Sequence, residues 1–238
     1  MSYRLYLFTT LHFSITGYTP LRILITHFVG TRLSKTAMIE EDLCAIGFMF
    51  DAEQSREVRE IQFEPNISIT LRTIGDKPGH VQSGQYLWPA ATAAGNYLIK
   101  NWSSICSDDV LELGAGCGLS GIVASKLEGV KHVVWTDYDH GSLQLIEENV
   151  NENCSISCHV HFLEWGKPIE TAVRIANDYP ADGFKLVVGS DLIYCKEVIE
   201  PLFQSVAEVL HREGRFILVS SFALEPVSCY FLSIAVIV

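Results

Sequence analysis

No aspartate or glutamate occurs in the first 39 residues of this 238-residue chain. Arg4, Arg22, Arg32 and Lys35 stand there without a counter-charge, while all 28 acids lie beyond them. The chain as a whole is acidic, at −11. Such a balance disfavours phosphate backbones, so no nucleic-acid partner is expected. No apolar run approaches the ~18 residues of a membrane-spanning helix, and no membrane partner is expected. Cys-x-x-Cys pairs are absent, and the seven cysteines are an odd number scattered along the chain. That spacing reads as reduced thiols in an intracellular protein rather than a disulfide framework, and the expected location is cytoplasmic, with the nucleus as the alternative. Charged residues make up only 19% against 48% hydrophobic, so the chain has ample material for a core and is not disordered.

The acid-free stretch defines residues 1–37 as a basic N-terminal extension. Its Ser/Thr-rich composition resembles a transit peptide, but it lacks clean helical periodicity. The favoured reading is a segment upstream of a start at Met38. Residues 38–83 form a β-hairpin region, with β-like runs at Ile46–Phe50, Val58–Phe63 and Ile67–Ile74 and a turn at Pro65-Asn66.

Beyond it, Pro89 opens an Ala-rich helix, proline being tolerated in a first turn where its missing N–H would lack a partner. Strands at Val110–Leu113, His132–Thr136, Ser157–Leu163, Phe184–Val188 and Arg215–Ser220 then alternate with helices at Leu119–Leu127, Ser142–Asn151, 168–177 and Glu197–Leu210. That alternation predicts an α/β fold, a Rossmann-like doubly wound, mostly parallel sheet covered on both faces, across 84–226.

The stretch Glu112-Leu-Gly114-Ala115-Gly116-Cys-Gly118 carries the chemistry. A strand runs into a glycine turn and a helix, where the backbone can approach a ligand and free N–H groups face it. Gly116, Gly118 and Gly121 also fit a dinucleotide pattern. Glu112 argues against that reading, because an acid at the strand end suits a cationic ligand group better than a pyrophosphate. S-adenosylmethionine has an ammonium and a sulfonium and no phosphate. Asp137 ends the next strand, where a carboxylate can accept both ribose hydroxyls, with Asp139 a near alternative.

With Trp88-Pro89, Glu164-Trp165-Gly166 and Asp191-Leu-Ile-Tyr194, these motifs resemble a class I, seven-β-strand S-adenosylmethionine-dependent methyltransferase. They look most like the eukaryotic non-SET protein-lysine methyltransferases of the methyltransferase-like 21 group. The resemblance implies that Trp88 borders the cofactor pocket. Gly114, Ala115 and Gly116 would line the methionine part, with Gly118 in the same loop. Asp137 would hold the ribose, Trp165 would sit by the adenine, and Ser190 would add a contact after the fourth strand. Asp191 and Tyr194 match an Asp-x-x-Tyr motif at the substrate entrance, where an acid and a phenol could orient a lysine amine. The implied activity is protein-lysine N-methylation with S-adenosyl-L-methionine. The alternatives are a small-molecule N-methyltransferase and a truncated, cofactor-binding but weakly active chain.

Truncation enters because a seven-stranded domain has two further strands after the fifth. Only about 16 residues follow Phe222, ending in an uncharged run over 227–238. The expectation is a truncated sheet edge, the tail being either a single strand beside the fifth or a splice or read-through tail, with weakened or absent transfer. No metal is expected. Cys154, Cys158, His159 and His161 lie close in sequence, but alternation puts Cys158 and the histidines on opposite faces. Cys195 has no identifiable base partner. Glu147, Glu148 and Glu152 read as a solvated helix face, and Asn149 and Asn153 as helix-end contacts without chemistry.

Overall fold

The computed structural model describes residues 5–13, 21–28, 56–75, 83–168, 178–221 and 232–237. The run at Ile46–Phe50 and the helix expected over 169–177 lie outside them.

Five strands form the parallel centre of an eight-stranded sheet, in the order β7-β6-β5-β8-β9. They are β5 (Asp109–Leu113), β6 (His132–Asp137), β7 (Ser157–Phe162), β8 (Phe184–Ser190) and β9 (Leu210–Ser220). β5, β6, β8 and the second half of β9 are largely apolar or β-branched runs, as strands covered on both faces should be, whereas β7 is the more polar, half-exposed edge. Alternation sorts their side chains. Val110, Val133, Trp135, Leu186, Val188 and Ile217 share one apolar cluster with helices α1 (Pro89–Ile105), α2 (Leu119–Ser125) and α3 (His140–Asn153). Leu111, Leu113, Val134, Val187, Phe216 and Leu218 face the other way, onto Leu202, Val206 and Val209 of α4 (Ile199–Val209). The chain winds β5-α2-β6-α3-β7 toward one edge, then returns to place β8 on the other side of β5. The C-terminal ends of β5 and β8 flank that reversal, where open α/β sheets bind ligands.

The sheet does not stop at β9. β10 (Leu232–Ile237) pairs antiparallel with it, so the hydrophobic tail does lie as a strand beside the fifth. β2 (Leu21–Phe28) pairs antiparallel with β10, and β1 (Leu5–Phe13) with β2. Residues expected as an extension apart from the domain therefore extend the edge that was expected to be truncated. The expectation looked for edge strands after β9 only, whereas hydrogen-bonded neighbours need not be neighbours in sequence.

The hairpin β3 (Arg56–Phe63) and β4 (Ile67–Ile74) stands as a separate two-stranded sheet. It docks on α3 through two asparagines one helical turn apart. Asn149 Oδ1 accepts from Arg72 N at 2.7 Å, and its Nδ2 donates to Arg72 O and Cys117 O, both at 2.9 Å. Asn153 repeats the grip on Thr70, at 3.1 Å to N and 2.8 Å to O. Four helical residues advance ~6 Å and two strand residues ~6.6 Å, so the amides fall in register with alternate peptide groups. Glu148 pairs with Arg56 at 2.5 Å and Glu152 with Arg72. These two glutamates, expected to be solvated, are partners of the hairpin.

Candidate active site

The glycine turn after β5 needs its glycines for distinct reasons. Gly114, Gly116 and Gly118 have φ of 54°, 59° and 81°, a region costly for residues with a Cβ. Space is also short. A Cβ on Gly116 would lie 2.3 Å from the carbonyl of Gly84, and one on Gly114 would lie 2.9 Å from Trp165 Cζ2. The loop thus passes between the turn at Ser83–Gln85 and the Trp165 ring. Ala115 and Gly116 are themselves buried.

Two carboxylates converge on this loop. Asp137, closing β6, is buried; its Oδ2 accepts from Gly116 N at 2.9 Å and its Oδ1 from Asp139 N at 3.0 Å. Burial raises its pKa above the ordinary carboxylate value, and these N–H groups oppose the rise. Asp139 is different. Its carboxylate caps α3 through Ser142 N at 2.8 Å and Ser142 Oγ at 3.0 Å, with Gln85 Nε2 at 3.4 Å. Between the two acids, Asp137 is the one that faces the glycine turn.

Glu112 is fully buried on the β5 face that carries α2. Its Oε2 accepts from Gly121 N, in the first turn of that helix, at 2.7 Å, while its Oε1 makes no hydrogen bond of normal geometry, with Ser120 lying nearby. Burial pushes its pKa up to about 7, with the Gly121 N–H and Ser120 opposing. A buried acceptor without a donor, beside a glycine turn, suits a ligand that brings a donor of its own.

The remaining predicted residues stand around this centre. Trp165 lies in the turn after β7, half-buried against the α4 cluster; the next residue, Gly166, donates its N–H to Ser205 Oγ at 2.9 Å. Trp88 is half-buried and immediately precedes α1. Ser190 ends β8, paired with Val219. Tyr194 is 59% exposed, and its phenol is raised above its ordinary pKa by partial burial and by Tyr138, Cys195 and Asp137 nearby. Tyr138 is exposed too, so two phenols stand at the rim of the crevice.

Asp191 does not present a free carboxylate. It has φ 54°, the left-handed conformation that Asp tolerates better than most side chains. The backbone thereby turns its carboxylate inward, where it is buried. Oδ2 accepts from Ala90 N at 3.3 Å and Ser221 Oγ at 2.7 Å, and Oδ1 from Ser221 N at 2.6 Å. Burial raises its pKa, against those donors. Asp191 instead ties the head of α1 and the end of β9 to the end of β8.

Sequence reasoning missed Gly84, Gln85 and Ser221, which brace the site from outside the motif. Gly84-Gln85 immediately precedes the Trp88-Pro89 signal, but nothing in its composition announces a contact with residues 116 or 139.

The sequence model described as "Lysine methyltransferase" matches residues 69–234. Among curated proteins, "Protein N-terminal and lysine N-methyltransferase efm7" of Schizosaccharomyces pombe is 34% identical over 129 residues, 53% of this chain and 49% of that protein. "Protein N-lysine methyltransferase METTL21A" of Danio rerio is 32% identical over 124 residues, 50% of this chain and 52% of its own. The chain spans about half the length of the curated relatives it matches. A candidate S-adenosylmethionine-dependent methyltransferase from Streptococcus mutans superposes with a TM-score of 0.51 at 11% identity, covering 79% of this chain and 57% of that one. This likeness supports the fold alone.

Proposed function

Because this chain belongs to the lysine methyltransferase family, matched over well more than half its length, we propose that it transfers a methyl group from S-adenosyl-L-methionine to a lysine side-chain amine of a protein substrate. The observation that carries the reading is the pairing of Asp137 with the glycine turn. A buried carboxylate at the end of β6 is hydrogen-bonded to Gly116 N at the switch point of the sheet.

The residues present fit the cofactor. Glu112 has an unpartnered buried oxygen for an ammonium. Asp137 stands where ribose hydroxyls can be accepted, and the left-handed glycines leave the backbone bare. Trp165, packed over Gly114, offers an aromatic wall for adenine. When bound, the cofactor supplies a methyl group on a sulfonium, electrophilic enough to need no covalent enzyme intermediate.

The chain's own task is to hold an amine in line, unprotonated and away from bulk water. Tyr194 suits it. With its pKa raised, the phenol stays neutral and can accept a hydrogen bond from the amine or present a π face to a cation. Asp191 supports the crevice by fixing the backbone three residues earlier. The acidity of the chain favours a basic partner surface.

The test uses methyl-labelled S-adenosylmethionine, the purified chain and a cell extract, compared with Asp137→Ala. Label in a discrete protein band, recovered as methyl-lysine and lost in the variant, is expected. Label only in small molecules would replace the protein substrate with a small amine. Saturable S-adenosylhomocysteine binding without any label would reduce the chain to a cofactor-binding module.

A further inference from the structure

Three histidines and an aspartate converge at the far edge of the sheet, away from the methyl-transfer crevice. His132 opens β6, and His159 and His161 lie on β7, the edge strand. Strand alternation and the pairing of Val134 with His159 put all three on the α4 side of the sheet. Asp178 joins them from beyond the β7–α4 side of the chain. Its Oδ2 lies 2.9 Å from His159 Nδ1 and 3.0 Å from His161 Nε2. One ligating atom each from His132, His159 and Asp178 fall within 4.8 Å of one another. The rings are close as well, with centroids 5.1 Å apart for His132 and His159. The side chains of His132, His161 and Asp178 retain only 15–18% of their exposure.

We propose that His132, His159 and Asp178 bind a zinc-class divalent cation, with His161 beside them on Asp178, at a site that pins β7 and the chain at Asp178 to β6. Two imidazoles and one carboxylate, with no thiolate, are donors that zinc accepts at three corners of a tetrahedron, the fourth being left to water or to His161. In a tetrahedron with bonds of ~2.0–2.1 Å, ligand atoms sit about 3.3 Å apart. The contact of His159 Nδ1 with Asp178 Oδ2 is already that short, and the ligating atoms of His132, His159 and Asp178 all lie within 4.8 Å of one another. The outer partners are also in place. Ser157 Oγ lies 3.1 Å from His159 Nε2, and Asp109 Oδ1 lies 3.3 Å from His132 Nδ1. A second contact of this kind fixes the tautomer and the orientation of a ligating ring. The ring nitrogens facing Asp178 lie at hydrogen-bond distance from its carboxylate; to ligate a cation a neutral ring presents its lone pair there and carries its one proton on the outer nitrogen.

The site is independent of the methyl-transfer reading. His132 and Asp137 occupy opposite ends of β6, roughly 17 Å apart at ~3.3 Å per residue. Cys154 and Cys158 pack into the cluster on the opposite face, so the thiols belong to a different surface.

The test titrates the full, untagged chain with zinc by calorimetry, and with cobalt by visible absorption. Expected are one saturable equivalent, tetrahedral cobalt bands without thiolate charge transfer, and a melting temperature raised by zinc. His132→Gln/His159→Gln should weaken binding at least ~10-fold and abolish the thermal shift. His211→Gln, remote from the cluster, should leave both unchanged. S-adenosylhomocysteine affinity serves as the folding control for the double variant, with Asp178→Asn as a milder second test. Absence of stoichiometric binding, binding that survives both variants, or cobalt spectra dominated by thiolate charge transfer would each overturn the proposal.

Discussion

Asp191 Oδ2 accepts the backbone N–H of Ala90 across 101 residues of sequence. The acid of the Asp-x-x-Tyr motif therefore accepts a first-turn N–H of α1, the helix that Trp88-Pro89 begins. Through Ser221 it also holds the end of β9. One side chain fixes three elements around the crevice, at the cost of a left-handed backbone.

Asp191→Ala should thus lose stability first. Three hydrogen bonds go, and the Ala90 N–H is left buried, a loss of about 3 kcal/mol. Asp191→Asn tolerates the same φ and keeps an acceptor, so it should recover part of that. Urea denaturation of both, beside Tyr194→Phe, separates the roles. Tyr194→Phe should lower kcat with unchanged stability and S-adenosylhomocysteine affinity. If Asp191→Asn were fully stable yet inactive, a direct part for Asp191 in transfer would be indicated instead.

The difference between those residues shows what a sequence can disclose. β4 is bounded as read, and β5, β6, β7 and β8 lie within a residue or two of their predicted limits. Apolar alternation and glycine or polar punctuation are local signals. The pairing of Asp137 with the glycine turn follows from the same order of elements. The Asp191–Ala90 contact, the Asn149 and Asn153 grips and the edge strands β1 and β2 join distant positions. A single polar contact of that kind leaves no periodic trace, and an edge strand carries no mark of which neighbour it will take.

Glu112 gives a pH prediction. Its folded pKa of about 7 stands above the ordinary 4.5. The stability it contributes is therefore complete below pH 4.5 and lost as pH rises through 7, amounting to roughly 3 kcal/mol. Glu112→Gln removes this dependence and should make the unliganded protein more stable than wild type at pH 8. S-adenosylhomocysteine carries an ammonium that would hold Glu112 ionised. Its wild-type affinity should rise with pH up to about 7, with proton release on binding below that. Calorimetry in buffers of different ionisation heat reads this directly, and a pH-independent wild-type affinity would exclude Glu112 from contact with the ammonium.

Asn149 tests the docking of the hairpin. Asn149→Ala strands the N–H and C=O of Arg72 and the carbonyl of Cys117, and should cost about 3 kcal/mol. Asn149→Asp should fare little better, because a carboxylate cannot donate to either carbonyl. Hydrogen exchange should show faster exchange at Arg72 and Thr70 while the protection of β5 and β6 persists.

The edge strands supply the remaining prediction. β10 is sandwiched between β9 and β2, with Ile237 opposite Ile23 and Leu232 opposite Phe28. Its sequence, Leu-Ser-Ile-Ala-Val-Ile, has no charge. Deleting residues 1–30 removes β1 and β2 and turns β10 into an edge strand with free backbone donors and acceptors. Uncharged, β-prone edges pair with other copies of themselves. The shortened chain should therefore elute as dimers or larger species by light scattering, in proportion to concentration. Ala235→Lys in that shortened chain should return it toward monomer, since a charge on an edge strand opposes pairing. S-adenosylhomocysteine binding should persist in both, because the glycine turn and Asp137 lie across β5 and β6, separated from β10 by β8 and β9. A shortened chain that stayed monomeric and equally stable would mean that β1 and β2 contribute nothing to closing the sheet.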